Sequence, residues 1–451
     1  MRVELKQTKR RLASRRRFLQ RMGAVSLLAP LKPSAFAAPP TDGGISKTEA
    51  LKAFEPRGWK PHTLRQGDGK EGWIVRSAEI QFHHYSDGTT PVHPMPGQGI
   101  WPFGVAQMDN GEVALLASWD ASHDQSHGNQ APCRDFESPV ACEKPMIAFS
   151  RDGGKTWTDF QRIRGGEGRP VMLTYLGKGN LRFLSDRVMP ILQYFSSDYG
   201  RTWESSPFQL TSAGQTFMPC DGNTWVDRDA RGIATRIGEI GYVYPGEPSV
   251  GMLRWSEDGG RTWGKEIIPS QWRWQENYGG KTYTRATSEG SLVRAANGWL
   301  VAALRTTPHP LLLALENGGL DGAGISISKD NGATWSRVKI LFEAGRHHAH
   351  FLRQTNGDLV MTYIVRQDVQ NGKLASYRRG CEAVVSHDHG QTWDVARRYI
   401  LDEFAYSNGL PLSTATGHLF STLLDDGHIL TCYGQYPSKG ACLIRWKPAS
   451  S

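Results

Sequence analysis

The sequence lacks long apolar runs outside its first residues. No segment after residue 37 approaches the roughly 18 uninterrupted apolar residues of a membrane-spanning helix, so no membrane span is predicted for the mature chain. Helix-like stretches are also lacking. Because 39% of the 451 residues are hydrophobic, the chain is not mainly disordered and is long enough for one large folded unit or two to three ordinary ones.

Cysteine is scarce, with six in the whole chain, which excludes a disulfide-built scaffold. Cys133 and Cys142 are close enough in sequence to staple one loop, and Cys432 and Cys442 are placed to pair across a terminal hairpin. Buried free thiols are an equally open alternative. The spacing matches no zinc pattern, and no nucleotide motif is present, so neither a metal nor another cofactor is predicted.

Outside the N-terminal residues 1–37, the chain also lacks a net formal charge. The chain has 53 Lys and Arg against 44 Asp and Glu, but residues 1–37 hold ten of the basic residues and only Glu4 of the acidic ones. The remainder is therefore balanced, and this argues against nucleic acid or an anionic membrane as a partner.

The N-terminal segment is typical of an export signal. Arg15, Arg16 and Arg17 precede Phe18 and Leu19, a short apolar run follows, and small residues end the segment at Ala37. This order resembles a twin-arginine signal with cleavage after Ala37, which predicts contact with the twin-arginine export machinery and a periplasmic or secreted protein. The predicted divisions are a signal peptide at 1–37, a lead-in at 38–70 and one folded domain at 71–451.

Five copies of one turn pattern, S-x-D-x-G-x-T-W, occur along the chain. We call these the aspartate turns; their aspartates are Asp152, Asp198, Asp258, Asp330 and Asp388. In such a turn the aspartate can bond nearby backbone, the glycine can take a positive φ, and the tryptophan can pack beneath. Five matches to an eight-position pattern indicate a repeated hairpin.

A second repeat lies between these turns: two β-prone runs joined by a glycine. The glycines are Gly111, Gly179, Gly232, Gly298, Gly357 and Gly427. Each unit thus contains four short strands, and an N-terminal strand near residues 73–80 would complete the sixth sheet. Repeated four-stranded sheets predict an all-β fold, a six-bladed β-propeller, with seven blades as the alternative.

The aspartate turns resemble the Asp-box repeats (BNR repeats) of the sialidase, or neuraminidase, superfamily, and the resemblance covers almost the whole mature chain. It implies a sialidase-like propeller, with the turns on the face away from the active site. In that family three arginines hold the substrate carboxylate, a glutamate assists a tyrosine nucleophile, and an aspartate is the acid/base.

Blade geometry predicts the active face as the end opposite the glycine turns, where strand one starts and strand two ends. Nine residues before each glycine stand Pro102, Pro170, Asn223, Glu289, His348 and His418. Seven to nine after it stand Asp120, Arg187, Glu239, Arg305, Arg366 and Tyr436. The ring is rich in ionisable and hydrogen-bonding groups.

Two of these positions resemble the family's motif: Glu289 matches its glutamate, and Arg305 matches the arginine one hairpin later. Others depart from it. Ile100 and Trp101 precede Pro102 where the family has Arg-Ile-Pro, His418 stands where the tyrosine should open blade six, and the third arginine would fall near His347 and His348.

The predicted site residues follow from the ring and the resemblance together. The catalytic candidates are Glu289, His348, His418, Asp120, Asp124 and Asp135. The substrate-binding candidates are Arg305, Arg366, Arg346, Arg169, Arg187, Trp101, Tyr406 and Tyr436, with Trp272 and Trp274 as further possible sugar platforms. Core packing is the alternative for each tryptophan, and structural bonding or metal binding is the alternative for the histidines.

The predicted function is that of an exported, exo-α-sialidase-type glycoside hydrolase acting on acidic or complex glycans. Two alternatives stay open. A polysaccharide lyase would use His348 or His418 as base beside a uronate whose carboxylate an arginine neutralises. A non-catalytic propeller would only bind carbohydrate or protein.

Overall fold

The computed structural model describes the strand residues 62–63, 65–66, 73–76, 85–86 and 91–92, and then a nearly continuous chain. That chain comprises 100–120, 143–186, 190–209, 211–212, 215–220, 222–310, 321–366, 368–370, 373–375, 378–405, 416–435 and 440–448. Five short strands come first: β1 His62–Thr63, β2 Arg65–Gln66, β3 Trp73–Arg76, β4 Tyr85–Ser86 and β5 Pro91–Val92.

The first three blades follow in chain order. Blade one contains β6 Ile100–Gln107, β7 Val113–Asp120, β8 Glu143–Ser150 and β9 Phe160–Arg162, with β4 and β5 at its outer edge. Blade two contains β10 Arg169–Gly177, β11 Asn180–Asp186, β12 Leu192–Ser196 and β13 Glu204–Pro207. After the small hairpin of β14 Thr211–Ser212 and β15 Gln215–Thr216, blade three contains β16 Trp225–Arg228, β17 Ala234–Val243, β18 Val250–Ser256 and β19 Gly264–Ile267.

Blade four contains β20 Arg273–Tyr278, β21 Lys281–Arg294, β22 Leu300–Thr306, β23 Gly322–Ser328 and β24 Lys339–Phe342. Blade five contains β25 Arg346–Arg353, β26 Leu359–Val365, β29 Arg378–Ser386 and β30 Tyr399–Ala405, interrupted by the hairpin of β27 Asp368–Gln370 and β28 Lys373–Ala375. Blade six contains β31 Thr416–Leu423, β32 Ile429–Gln435 and β33 Gly440–Trp446. Two single-turn 3-10 helices, Ser270–Trp272 and Val395–Arg397, complete the described elements.

The molecule is thus a six-bladed β-propeller, as the repeats predict. Each of the six predicted glycines has a positive φ and joins the first two strands of its blade, except that in blade four, where β20 comes first, Gly298 joins β21 to β22. N-terminal strand β3 pairs antiparallel with β33, with Ile74 opposite Trp446, so it extends the sixth sheet as expected. The lead-in contributes β2 beside β3 and β1 beside β30, both in parallel pairing.

The aspartate turns are built from their own side chains. In the turn of blade three, Ser256 Oγ donates to Asp258 Oδ1 at 2.7 Å, and Thr262 donates its amide and its hydroxyl to the same carboxylate at 2.9 and 2.6 Å. Burial alone would raise the pKa of Asp258, but these donors outweigh it and lower the pKa. The other four turns make the same bonds, so the repeat is a self-contained structural unit.

The core lies between neighbouring blades. Alternate residues of the strands, such as Val113 and Leu115 of blade one with Leu430 and Cys432 of blade six, pack into one buried cluster. Each fully buried side chain of this kind contributes about 1.5–3 kcal/mol. The repetition of such contacts around the ring stabilises sheets that would be marginal in isolation.

The register of blade six decides between the alternatives for its cysteines. Cys432 lies opposite Leu443, and Cys442 lies opposite Tyr433, so the two cysteines belong to opposite faces of the sheet. Cys432 is a buried free thiol, as are Cys220 and Cys381. The predicted Cys432–Cys442 disulfide is therefore wrong, whereas Cys133 and Cys142 lie outside the described residues.

Residues 1–61 also lie outside the described part of the chain, so the twin-arginine signal and its cleavage after Ala37 stay predictions. Within the part that is described, no helix has the length and apolar character needed to cross a membrane.

Candidate active site

The innermost strands of five blades share an irregularity near their starts. The pairing register shifts between Pro102 and Gly104 in β6, and equivalent shifts occur at 171–174, 287–290, 347–350 and 416–419 in β10, β21, β25 and β31. A β-bulge of this kind re-aims a side chain at the end of a strand. The shared end is the one predicted for the active face, opposite the aspartate turns.

In blade four the bulge places Glu289 against Arg305 of the next strand. Arg305 Nη1 donates to Glu289 Oε2 at 2.8 Å, and Arg305 Nε donates to Asp321 Oδ2 at 2.7 Å. Asp321 directly precedes β23, so three consecutive strands supply the three residues. The side chains of Arg305, Asp321 and Glu289 are 12%, 15% and 20% exposed, which is enough for a ligand to reach Glu289.

Blade five supplies the fourth member of this cluster. His348 Nδ1 lies 3.3 Å from Glu289 Oε2, and its backbone has a φ of 51°, an uncommon conformation for histidine. Ser291 Oγ donates to the carbonyl of Ala349 at 2.5 Å and so fixes the bulge to blade four. The strained conformation is held by the fold and directs the imidazole to the carboxylate.

The preceding residue, His347, packs against His348 and the backbone of Asp321. His347 is fully buried, its Nδ1 lies 3.1 Å from the backbone carbonyl oxygen of Asp321, and its ring centroid lies 4.7 Å from that of His348. His348 is therefore tied to the Glu289 carboxylate, and His347 is tied to the backbone of Asp321.

The electrostatics of the cluster favour a firmly charged Arg305. Burial acts to lower the pKa of Arg305, but the negative charges of Asp321 and Glu289 outweigh burial and raise the pKa. One guanidinium thus stands between two carboxylates, and a neighbouring imidazole contacts one of them. Such an arrangement fixes the orientation of the Glu289 carboxylate.

Two tyrosines of blade three lie close enough to Glu289 to sense its negative charge. Tyr242 is buried, and its pKa is raised well above the usual value, first by burial and then by the charge of Glu289. Tyr244 is 39% exposed, and burial, Glu247 and Glu289 together raise its pKa. Both phenols therefore stay protonated at neutral pH and are suited to donate hydrogen bonds.

Two other predicted arginines occupy different surroundings. Arg346 Nε donates to Glu382 Oε2 at 3.0 Å inside blade five, where Tyr363 and Arg398 also approach that carboxylate. Arg366 directly follows β26 at the active-face end and is 5% exposed; its amide donates to the carbonyl of Gly345 at 2.9 Å. The two arginines are equally buried, since Arg346 is also 5% exposed.

Arg169 starts β10, and its guanidinium lies 5.4 Å from the ring centre of Phe103 in blade one. Trp272 has no exposed area and belongs to the core, whereas Trp274 is only half-buried. Trp272 is therefore not a sugar platform. The remaining candidates lie outside the described residues or have side chains that do: Asp120, Asp124, Asp135, Arg187, Trp101, Tyr406, His418 and Tyr436.

Two other ring positions, Asn223 and Glu239, make structural bonds, as does His350 beside the ring. Asn223 Nδ2 donates to the carbonyl of Leu292 at 2.9 Å, and its Oδ1 accepts from the amide of Phe351 at 2.9 Å, joining blades three, four and five. Glu239 is buried and pairs with Arg182 and Arg254. His350 is buried and accepts a bond from the amide of Ser421 in blade six, at 3.3 Å.

The sequence-based prediction missed Asp321, Tyr242 and Tyr244. The counting rule covered the start of strand one and the end of strand two. Strand three starts at the same end of the blade, so extending the rule by one strand points to Asp321 just before β23. Within the described residues, no group of three or more His, Cys, Asp or Glu side chains is arranged to hold a metal ion.

Comparison with known proteins places the fold. No family model and no curated protein matches the sequence. A protein of unknown function from Dyadobacter fermentans superposes with a TM-score of 0.54 at 17% identity, covering 84% of this chain and 99% of that chain. The Hadza microbial sialidase Hz136 superposes with a TM-score of 0.51 at 13% identity, covering 79% of this chain and 70% of that chain.

An alpha-L-arabinanase from Penicillium chrysogenum, solved with arabinobiose, superposes more loosely, with a TM-score of 0.48 at 13% identity over 83% of this chain and 98% of that chain. At these identities the likeness shows the fold alone, that of a sialidase-like six-bladed β-propeller.

Proposed function

We propose that the chain is an exported glycoside hydrolase whose reaction is centred on Glu289. The observation that carries the proposal is the Glu289, Arg305, Asp321 and His348 cluster at the active-face end of blades four and five. A carboxylate held by a charged arginine and reachable by a ligand is the group that a glycosidic-bond cleavage requires as base or nucleophile partner.

The roles follow from the contacts. Glu289 accepts the proton of an attacking water or protein nucleophile, and Arg305 fixes the carboxylate while Asp321 fixes Arg305. His348, in contact with Glu289, positions that carboxylate. An aspartate of blade one, Asp120, Asp124 or Asp135, is the proposed acid, by the resemblance that motivates the site.

The first substrate class to test is an α-sialoside. Arg366 and Arg305 are the proposed ligands of an anionic sugar group, with Arg169 and Arg187 as further candidates. Two carboxylates already face Arg305, which reduces the positive charge that it offers to an anion.

A lyase is the second candidate, and one contact favours it. The Glu289 carboxylate orients the imidazole of His348, a pairing that suits a histidine for abstracting a proton beside a uronate. The product would then carry a carbon–carbon double bond in the sugar ring, and the cleavage would consume no water.

Product analysis separates the candidates. Purified protein is incubated with a fluorogenic α-sialoside and a panel of acidic and neutral polysaccharides, and both reducing ends and unsaturated uronates are measured. Turnover must co-migrate with the protein on gel filtration. Reducing ends without the chromophore support the hydrolase, the chromophore supports the lyase, and binding without products contradicts both enzymes.

A further inference from the structure

A groove lies at the boundary of blades three and four, beside the candidate active site. It has a volume of about 500 Å³ and is lined by Pro245, Val250, Ile268, Pro269, Ser270, Arg273, Trp274 and Gln275. This volume falls within the roughly 300–1,000 Å³ range of small-molecule sites. Of the described large hydrophobic residues, the exposed ones are Tyr244 and Ile268; Ile268 lines the groove, and Tyr244 directly precedes Pro245 of its wall.

The two walls of the groove are tied together. One wall is the loop that follows β17, and the other runs from Ile268 through the 3-10 helix into β20. Arg273 Nη2 donates to the backbone carbonyl of Glu247 at 2.9 Å and so joins the walls. This hydrogen bond therefore fixes the position of one wall of the groove relative to the other.

Trp274 supplies an aromatic wall. It pairs with Arg285 across the β20–β21 hairpin, and the Arg285 guanidinium lies 5.4 Å from its ring centre. Arg285 is held in turn by Glu276 and Glu343, each at 3.0 Å. The indole is thus fixed in place while part of it lines the groove, unlike the fully buried Trp272 two residues earlier.

Two chain segments link the groove to the candidate site. Tyr244, whose pKa responds to the charge of Glu289, directly precedes Pro245 in the groove wall. Strand β21 runs from Arg285, beneath Trp274, to Glu289 four residues later, a rise of about 13 Å. A chain molecule bound at Glu289 can therefore extend into the groove.

We infer that this groove binds a neutral hexopyranose ring of the glycan, one or more units away from the bond cleaved at Glu289. This subsite extends the proposed function and rests on it for the role of the bound sugar. The apolar wall of Trp274, Ile268 and the prolines suits the apolar face of a sugar ring, and the exposed Gln275 and Ser270 suit its hydroxyls.

The test measures binding without requiring turnover. Lactose, cellobiose and maltose are titrated into the purified protein by calorimetry, with Trp274→Ala as the variant. Trp299→Ala is the matched control, because Trp299 lines a groove of about 470 Å³ among aspartate-turn residues on the opposite face. We expect at least one disaccharide to bind, with affinity reduced at least tenfold by Trp274→Ala and unchanged by Trp299→Ala.

The inference is overturned if none of the three sugars binds or if Trp274→Ala binds as tightly as the wild type. Titration of Glu289→Gln separates the two proposals. If Glu289→Gln keeps sugar binding and the wild type turns over no glycan, the subsite is supported and the hydrolase is contradicted. If turnover requires Glu289 but sugar binding is unchanged by Trp274→Ala, the hydrolase is supported and the subsite is contradicted.

Discussion

The two ends of the propeller differ in how their polar groups are satisfied. At the aspartate-turn end, each carboxylate bonds serine, threonine and amide groups of its own turn, as Asp258 does with Ser256 and Thr262. At the opposite end, bonds run between strands and blades: Glu289 contacts Arg305 and His348, and Asn223 joins three blades.

This difference teaches which parts of a repeat protein are free to vary. A self-contained turn can be copied five times because it needs nothing specific from its neighbour except room, and the same residues therefore recur. The other end needs a different partner at each blade, so its residues differ from blade to blade. Repetition marks the architecture, and the departures from it mark the chemistry.

The largest expected effect breaks the cross-strand cluster. Arg305→Met removes the guanidinium between Glu289 and Asp321 and leaves two poorly compensated carboxylates. We expect unfolding free energy to fall by about 3 kcal/mol and turnover to fall at least ~10²-fold, measured by denaturant titration and initial rates. Adding Asp321→Asn should restore part of the stability but not the activity; restored activity would show that Arg305 serves only stability.

The next effect compares two glycines with similar backbones. Gly390 has a φ of 89°, and a Cβ there would lie 2.9 Å from Val301 of the preceding blade, whereas Gly298 has a φ of 88° and open space. Gly390→Ala should cost about 3 kcal/mol and Gly298→Ala about 1 kcal/mol, because only the first adds a clash to the strained backbone. Equal losses of unfolding free energy in thermal or denaturant unfolding would contradict the expectation that Gly390 allows close packing between the two blades.

A pH effect distinguishes the innermost strands from the turns. Burial lowers the pKa of His350 from 6.5 to about 3, so the unfolded chain takes up this proton first as pH falls. Stability from the neutral imidazole is complete above pH 6.5 and should be reduced by about 2 kcal/mol at pH 5. His350→Asn should flatten this loss between pH 6.5 and 5. The aspartate turns, whose carboxylate pKa values are lowered, should lose their contribution only below about pH 4.

The smallest effect concerns one bond in one turn. Thr392 Oγ1 donates to Asp388 Oδ2 at 2.6 Å in an exposed position. Thr392→Val removes that bond while the amide of residue 392 keeps its own, so we expect a loss of about 0.5 kcal/mol and unchanged turnover. A change in turnover would mean that the two ends of the propeller are coupled.

Much of the fold was predictable because its signals are local and repeated. Gly298 and Asp330 each lie in a short turn whose residues dictate its shape, and counting such turns gives the blades. Counting nine residues back from Gly298 also finds Glu289, and counting forward finds Arg305.

The rest depends on contacts that no local pattern records. The approach of His348 to Glu289 requires bulges in two neighbouring blades, and His348 itself gives no hint of its positive φ. The burial of Trp272 and the partial exposure of Trp274 likewise follow from packing between blades, since the two residues lie in similar sequence.

The most direct test compares two glutamates at opposite ends of the propeller. Glu289→Gln and Glu257→Gln are measured for kcat/KM on the glycan that the wild type cleaves. Glu257 is an exposed residue within the aspartate turn of blade three and pairs only with Lys265, at 3.3 Å, among the described contacts. Glu289→Gln should lower kcat/KM by roughly 10³-fold, and Glu257→Gln should leave it unchanged. Full activity of Glu289→Gln would contradict the assignment of the active site to this end of blades four and five.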